Sequence, residues 1–302
     1  MPVDSPPAAL PAPTLAPTKS RLPLFLGAVA AASFVGMDAV VKLMAEHHGA
    51  LQLGFLRFAG GSVFALAFWA WKRSALPTRR AWRLHIARSL FLLVSLVGYF
   101  HALTLLPLAQ AVAISYLAPI FVSVLAVPVL HERPQAAIWW ALSLGLTGVS
   151  ISVWPELRLA SASDDPARLL GMASAAVAAF AFSWVMLLAR RQARSDSMWT
   201  ILLVQNLLPM LLLAAPAAWT WTPLQPGEIA LTLGAGALGT IGLLCLTYAF
   251  THLEASRIAP LEYTSFVWAA GLGYLLFGEV PTLATAASAV LIVGGCLLLL
   301  RR

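Results

Sequence analysis

Charge is what this chain has least of. Only 10% of its 302 residues are Asp, Glu, Lys or Arg, against about 25% in an ordinary soluble domain. With 60% hydrophobic residues and a mean hydropathy of +0.85, most of the chain must face something other than water. Cysteine is nearly absent: Cys245 and Cys296 both lie inside apolar runs, which excludes a disulfide framework or a zinc spacing and leaves them as small packing residues. Neither an HExxH helix nor a Gly-x-Ser-x-Gly elbow is present, so the common metalloprotease and hydrolase sites have no basis here. No metal or cofactor is expected. A pI near 10.0 suggests nucleic acid only where basic residues gather on one face; here topology distributes them, and no nucleic-acid partner is expected.

What is present is long apolar runs. Residues 1–20 carry Pro2, Pro6, Pro7, Pro11, Pro13 and Pro17 among small residues, a composition that favours a disordered cytoplasmic tail. Ten apolar spans follow, at about 23–45, 51–71, 84–106, 108–130, 136–154, 168–189, 199–219, 228–250, 257–277 and 282–300, each near the roughly 20 residues that cross a bilayer. The third and fourth spans nearly touch, as do the eighth and ninth, so nine or eight spans are the alternatives. With the N-terminus inside, fourteen basic residues fall in cytoplasmic segments and only Arg158 and Arg168 in outer ones. The positive-inside rule therefore puts both termini in the cytoplasm.

One stretch repeats. YFHALTLLPLAQAVAISYLAPIFVSVLAVPVLHERP, residues 99–134, slides by 147 residues onto the second half without a gap. Ala102 falls on Ala249, Thr104 on Thr251, Leu106 on Leu253, Tyr116 on Tyr263, Leu125 on Leu272, Glu132 on Glu279 and Pro134 on Pro281. Five spans per half is an odd number, so the second half enters the membrane upside down. Inverted repeats of this kind recur in secondary transporters, with the site near the midplane and one half rocking against the other.

The segments ALTLLPLAQAVAISYLAPIFVSVLAVPVLHERP (102–134) and THLEASRIAPLEYTSFVWAAGLGYLLFGEVP (251–281) resemble the EamA family of the drug/metabolite transporter superfamily. The resemblance covers nearly all of the chain after the tail. It implies an all-α integral membrane protein of ten helices, with an EamA-type repeat at 21–154 and an inverted one at 168–302. It also implies a central cavity walled mainly by spans 1, 3, 4, 6, 8 and 9, and movement of small metabolites without ATP. The lack of a Walker A lysine motif agrees with that.

Charged groups inside spans are the first site candidates, because lipid burial is costly unless they are paired or wet. Asp38 and Arg57 lie at matching depths, so they form either a structural ion pair or part of the substrate or proton path. Lys42 is one turn beyond Asp38, within contact distance or near enough to snorkel. Glu262 follows Pro260, which removes a backbone donor inside a span. Its carboxylate is read either as a site for an amine or proton, or as a partner of Arg88 or Arg257. Tyr99, His101, Ser115 and Tyr116 form a second group whose rings and hydroxyls suit an amphipathic solute. Trp184, Tyr248, Tyr263 and Trp268 add aromatic surface from the second half. Gln205 and Asn206 are read as interhelical hydrogen-bonding groups.

The leading functional expectation is a secondary transporter in a bacterial-type inner membrane, read as an exporter of amino acids including aromatic ones. The alternative is an uptake or exchange carrier for a vitamin or nucleotide-like cofactor. A remote third reading is an intramembrane enzyme built on a Ser115–His101 pair, for which no third group is evident. The expected partners are a small-molecule substrate and the bilayer.

Overall fold

The computed structural model describes residues 21–300 apart from 46, 107, 161–165, 279 and 281. The expected N-terminal tail, Pro107 between the third and fourth spans, and the repeat positions Glu279 and Pro281 therefore lie outside the described residues. Every described element is helical: α1 Leu22–Met44, α2 Ala50–Lys72, α3 Arg79–Leu105, α4 Leu108–Ser115, α5 Ala118–Leu130, α6 Ala136–Ala160, α7 Pro166–Ser195, α8 Met198–Trp219, α9 Glu228–His252, α10 Ala255–Ile258, α11 Thr264–Phe277 and α12 Leu283–Leu300. A 3-10 turn, Ala259–Tyr263, joins α10 to α11. α1, α2, α3, α7, α8 and α9 are long and apolar enough to cross a membrane, and α5, α6 and α12 contain shorter apolar stretches.

Local chemistry sets several of these boundaries. Thr78 and Ser197 cap α3 and α8 by accepting from the backbone N–H groups of Ala81 and Thr200, which satisfies donors that a helix start leaves open. Pro260 cannot donate to the turn before it, and the chain tightens there into the 3-10 segment. α11 ends on Gly278 at φ 68°, a left-handed stop that glycine adopts without strain.

Large apolar side chains face outward, and several polar ones are buried within a largely apolar interior. Phe25, Trp71, Leu169, Val177, Leu275 and Val290 are exposed, while Gln52, His85, Arg88, Arg190, Gln192 and Gln205 are buried. The apolar exterior fits a surface solvated by lipid, and the buried polar groups fit an interior where they meet each other or a cavity.

The tightest packings are α3 on α7, α1 on α9, α6 on α12 and α2 on α8. Each joins a helix from residues 21–160 to one from 166–300. At the α6–α12 contact a Cβ on Gly148 would meet the Ser288 carbonyl at 2.9 Å, and one on Gly295 would meet the Ala141 carbonyl at 3.1 Å. Glycine is what lets these two backbones approach.

Two polar clusters mark opposite ends of the bundle. In one, His48 Nε2 meets Glu228 Oε2 at 2.8 Å. Beside it Gln52 and Thr222 exchange hydrogen bonds, Gln52 Nε2 donating to the Thr222 carbonyl and the Thr222 N–H donating to Gln52 Oε1. In the other, Thr200 Oγ1 donates to the Ala75 carbonyl just beyond α2. The start of α2 thus meets the end of α8, and the end of α2 meets the start of α8: the two helices run antiparallel. This second end also holds Glu132, which the sequence marks only as the repeat equivalent of Glu279. Glu132 is buried, and its carboxylate accepts from the N–H groups of Ala255 and Ser256 and from Ser256 Oγ. Arg190 Nε lies 3.6 Å from the same carboxylate. Nearby Glu254 sits in a loop where burial, with the charge of Glu132 adding, pushes its carboxyl above the ordinary range.

Candidate functional site

A cavity of about 580 Å³ lies among α1, α2, α3, α4, α5, α7, α8, α9, the 3-10 turn and α11. Its size suits a small organic solute. Much of the wall is apolar, but Asp38, Arg57, Arg88 and Glu262 all face into it. Toward α10 the packing among Val122, Met186, Phe250 and Ile258 closes to a gap of about 10 Å³, so the cavity is shut on that side.

The four charges are not arranged alike. Asp38 and Arg57 act on one another through their charges, although no hydrogen bond joins them. Asp38 is deep in the bundle yet open to the cavity. Glu262 has no cation within ion-pair distance among the described residues, so the alternative of a partnership with Arg88 or Arg257 does not form. Arg88 instead donates from Nη1 to Gln192 Oε1 at 2.8 Å. Gln192 Nε2 lies 3.1 Å from His85 Nδ1, and His85 Nε2 lies 3.0 Å from Asp196 Oδ2.

The broken helices supply the rest of the polar wall. Tyr116 lies between α4 and α5, its hydroxyl 3.2 Å from Ser265 Oγ. Tyr263 closes the 3-10 turn and donates from its hydroxyl to the Tyr116 carbonyl at 3.1 Å. The two rings stand 5.6 Å apart, tilted by 31°. Tyrosines related by the 147-residue offset therefore touch one another. Only Tyr116 faces the cavity; Tyr263 is 1% exposed, packed with Ile138, Leu142 and Ile292, where the missing side chain of Gly145 leaves room for its ring.

Of the residues the sequence singled out, Tyr99, Ser115, Tyr116, Glu262, Asp38, Arg57 and Arg88 are on the wall. Gln205 and Asn206 line the cavity too, and the others are elsewhere. Trp184 stacks on Phe91 at 5.5 Å, Tyr248 stacks on His252 at 4.3 Å, and Trp268 is 46% exposed. His101 Nδ1 lies 2.9 Å from Ser174 Oγ, while Ser115 Oγ donates to the Val112 carbonyl; these two residues do not pair. Lys42 is exposed and is not on the wall. Asn206 Nδ2 donates within its own helix to the Leu202 carbonyl rather than across to a neighbour, and Gln205 keeps a buried Nε2 without a partner. Sequence reasoning missed Gln192 and its chain through His85 to Asp196. The signal was there in part: His85 and Arg88 share one helix face, as do Gln192 and Asp196.

The comparisons with known proteins bear on this architecture. The EamA-like transporter family matches residues 21–154 and, a second time, residues 169–301. The chain belongs to the EamA-like transporter family. Similar curated members include the pseudopaline exporter of Pseudomonas aeruginosa, 30% identical over 92% of this chain and 95% of that protein. The S-adenosylmethionine uptake transporter of Rickettsia prowazekii is 25% identical over 87% of each, and that of Rickettsia bellii is 26% identical over 87% and 88%. A crystal structure of a protein with 21% identity superposes at a TM-score of 0.74, covering 91% of this chain and 95% of that one, and shows the same fold. As an EamA-like protein the chain is a multi-pass membrane transporter of small molecules, and its family and relatives are transporters rather than enzymes.

Proposed function

We propose that this EamA-like protein is a secondary exporter of a small amphoteric metabolite, an amino acid or amino-acid-like compound, working by alternating access at the central cavity. The observation that carries the reading is a single cavity that holds carboxylates and guanidiniums together among aromatic and aliphatic walls. A solute with both signs of charge and an apolar body meets complementary groups there. Similarity to a pseudopaline exporter supports export. Similarity to S-adenosylmethionine uptake transporters supports a second reading, uptake or exchange of a nucleoside-like cation, for which Asp38 and Glu262 on the wall are the favouring groups.

Ten spans in two inverted halves follow if α4 with α5, and α10 with α11, each make one broken crossing. The opposed directions of α2 and α8, which the 147-residue offset superposes, support that inversion. The proline-rich tail and both termini lie on the cytoplasmic side of the inner membrane on the fourteen-to-two distribution of basic residues, which makes the present state closed toward the cytoplasm. Because the tightest packings cross between the sequence halves, rocking residues 21–154 against 168–302 would break them. The moving bodies are instead α1 with α9 and α11, and α7 with α3 and α5, sets that the offset exchanges.

Counterflow of labelled metabolites in proteoliposomes tests the function. Accumulation of amino-acid-like solutes supports it, and exclusive movement of uncharged solutes contradicts it. Single cysteines at Ala50 and Pro223 should react with an impermeant thiol reagent from outside intact cells. Outside labelling at Thr78 or Ser195 would overturn the orientation.

A further inference from the structure

We propose that Arg88 is the anchor for a carboxylate of the transported solute, so that the cavity selects molecules carrying a carboxylate as well as a cationic amine. The proposal rests on the transporter reading and specifies which group of the protein recognises which group of the cargo.

Arg88 is 5% exposed and faces the cavity. A guanidinium in such a place is expected to have an anion. None of the described carboxylates lies within ion-pair distance of it. Its one bond goes to a neutral amide oxygen, that of Gln192, and its Nε has no partner. The nearby anions are committed elsewhere: Asp196 to His85 at 3.0 Å, and Asp38 to the field of Arg57.

The hydrogen-bond chain behind Arg88 fixes its direction. An arginine only donates, so the oxygen of Gln192 must face Arg88 and its NH2 must face His85. His85 Nδ1 then accepts, and Nε2 carries the hydrogen toward Asp196. Every member of the chain is used, and the whole holds one arm of the guanidinium. Nε is itself buried, so Nη2 and the second hydrogen of Nη1 are the donors left for a fork on the cavity side. A fork held in place from behind matches a carboxylate in two-point geometry, which a lysine cannot reproduce. Glu262, on the same wall and without a cation of its own, is the complementary group for the solute's amine. The wall thus has an unneutralised cation and an unneutralised anion, and a zwitterion neutralises both.

The test is counterflow of labelled phenylalanine, histidine and methionine by the full-length protein in proteoliposomes, with each unlabelled amino acid and its amide as competitors. The amide keeps the amine and side chain and loses the carboxylate. Wild type should discriminate against the amide by about tenfold or more, the scale of one charge-assisted hydrogen-bonded contact. Arg88→Gln, checked for an unchanged elution profile and melting temperature, should raise the half-saturating concentration and bring acid and amide to near parity, with Arg88→Lys intermediate. Equal competition by acid and amide in the wild type overturns the proposal while leaving the transporter reading intact, and needs no variant to fold. Discrimination that survives in Arg88→Gln also overturns it. If none of the three amino acids shows counterflow, the amino-acid reading of the cargo fails and this proposal fails with it.

Discussion

The two halves of the chain agree in scaffold and differ in chemistry. A shift of 147 residues carries α2 onto α8, α3 onto α9, α4 onto α10 with the 3-10 turn, and α5 onto α11, within a residue or two at the starts. Gly148 and Gly295 are equivalent, and so are the Ala141 and Ser288 carbonyls they admit. Even wall positions correspond: Leu92 with Gly239, Leu96 with Leu243, Val35 with Phe182. The charges do not. Asp38 falls on Val185, Arg57 on Val204, Arg88 on Ala235, and Glu262 on Ser115. Symmetry is what lets one scaffold hold two equivalent conformations, whereas a solute with an amine at one place and a carboxylate at another has no such symmetry. On the proposed function, the repeat builds the moving parts and its exceptions are where cargo would be recognised.

The largest effect is expected where the scaffold is held across the halves. Glu132→Ala removes the acceptor for Ala255 and Ser256 and the carboxylate that lies 3.6 Å from Arg190. Leaving that guanidinium buried without an anion costs about 3–5 kcal/mol, read as a large loss of melting temperature and yield. A glycine change sharpens the comparison of the halves themselves. Gly148→Ala and Gly295→Ala should both destabilise, by about 1–3 kcal/mol each, with Gly148 the more sensitive because its Cβ comes within 2.9 Å of a carbonyl against 3.1 Å. Thermal unfolding of one variant unaccompanied by a shift in the other would break the equivalence.

The third prediction separates scaffold from cargo. Since no cation among the described residues is paired with Glu262, Glu262→Gln should keep yield and melting temperature while flux falls about tenfold or more, by the loss of one charge-assisted contact. Moving the acid to its equivalent, as Glu262→Ser with Ser115→Glu, should not restore flux if recognition is asymmetric. Restoration would show that either half serves. The smallest effect concerns Glu254. Its carboxyl titrates above the unfolded value because of burial and Glu132, so ionisation costs folded-state stability. Glu254→Gln should raise the melting temperature slightly above the raised titration, and the gain should vanish as pH falls below the unfolded carboxylate range.

Much of the scaffold was legible in the sequence because it is written twice and in long apolar runs. Tyr116 and Tyr263 were identifiable as equivalents, but their direct contact follows from where the two halves meet, which spacing does not encode. That contact, and the room beside Gly145, put Tyr263 into packing rather than on the wall. Arg88 was visible as an intramembrane charge. Its partner Gln192 lies 104 residues away on α7, so the chain that aims it appears only when α3 packs on α7. Aromatic residues were the weakest guide: Trp184 and Tyr248 found ring partners inside the bundle, as apolar bodies do wherever a neighbour is flat.

Alternating access at this cavity is tested most directly by a single cysteine at Ser115, in protein with Cys245 and Cys296 replaced, reconstituted so that an impermeant thiol reagent reaches one face at a time. Ser115 is on the wall and equivalent to Glu262. The account predicts labelling from each face in turn, slowed from both by a transported amino acid. Labelling from one face only, unaffected by any solute that the protein moves, would contradict it.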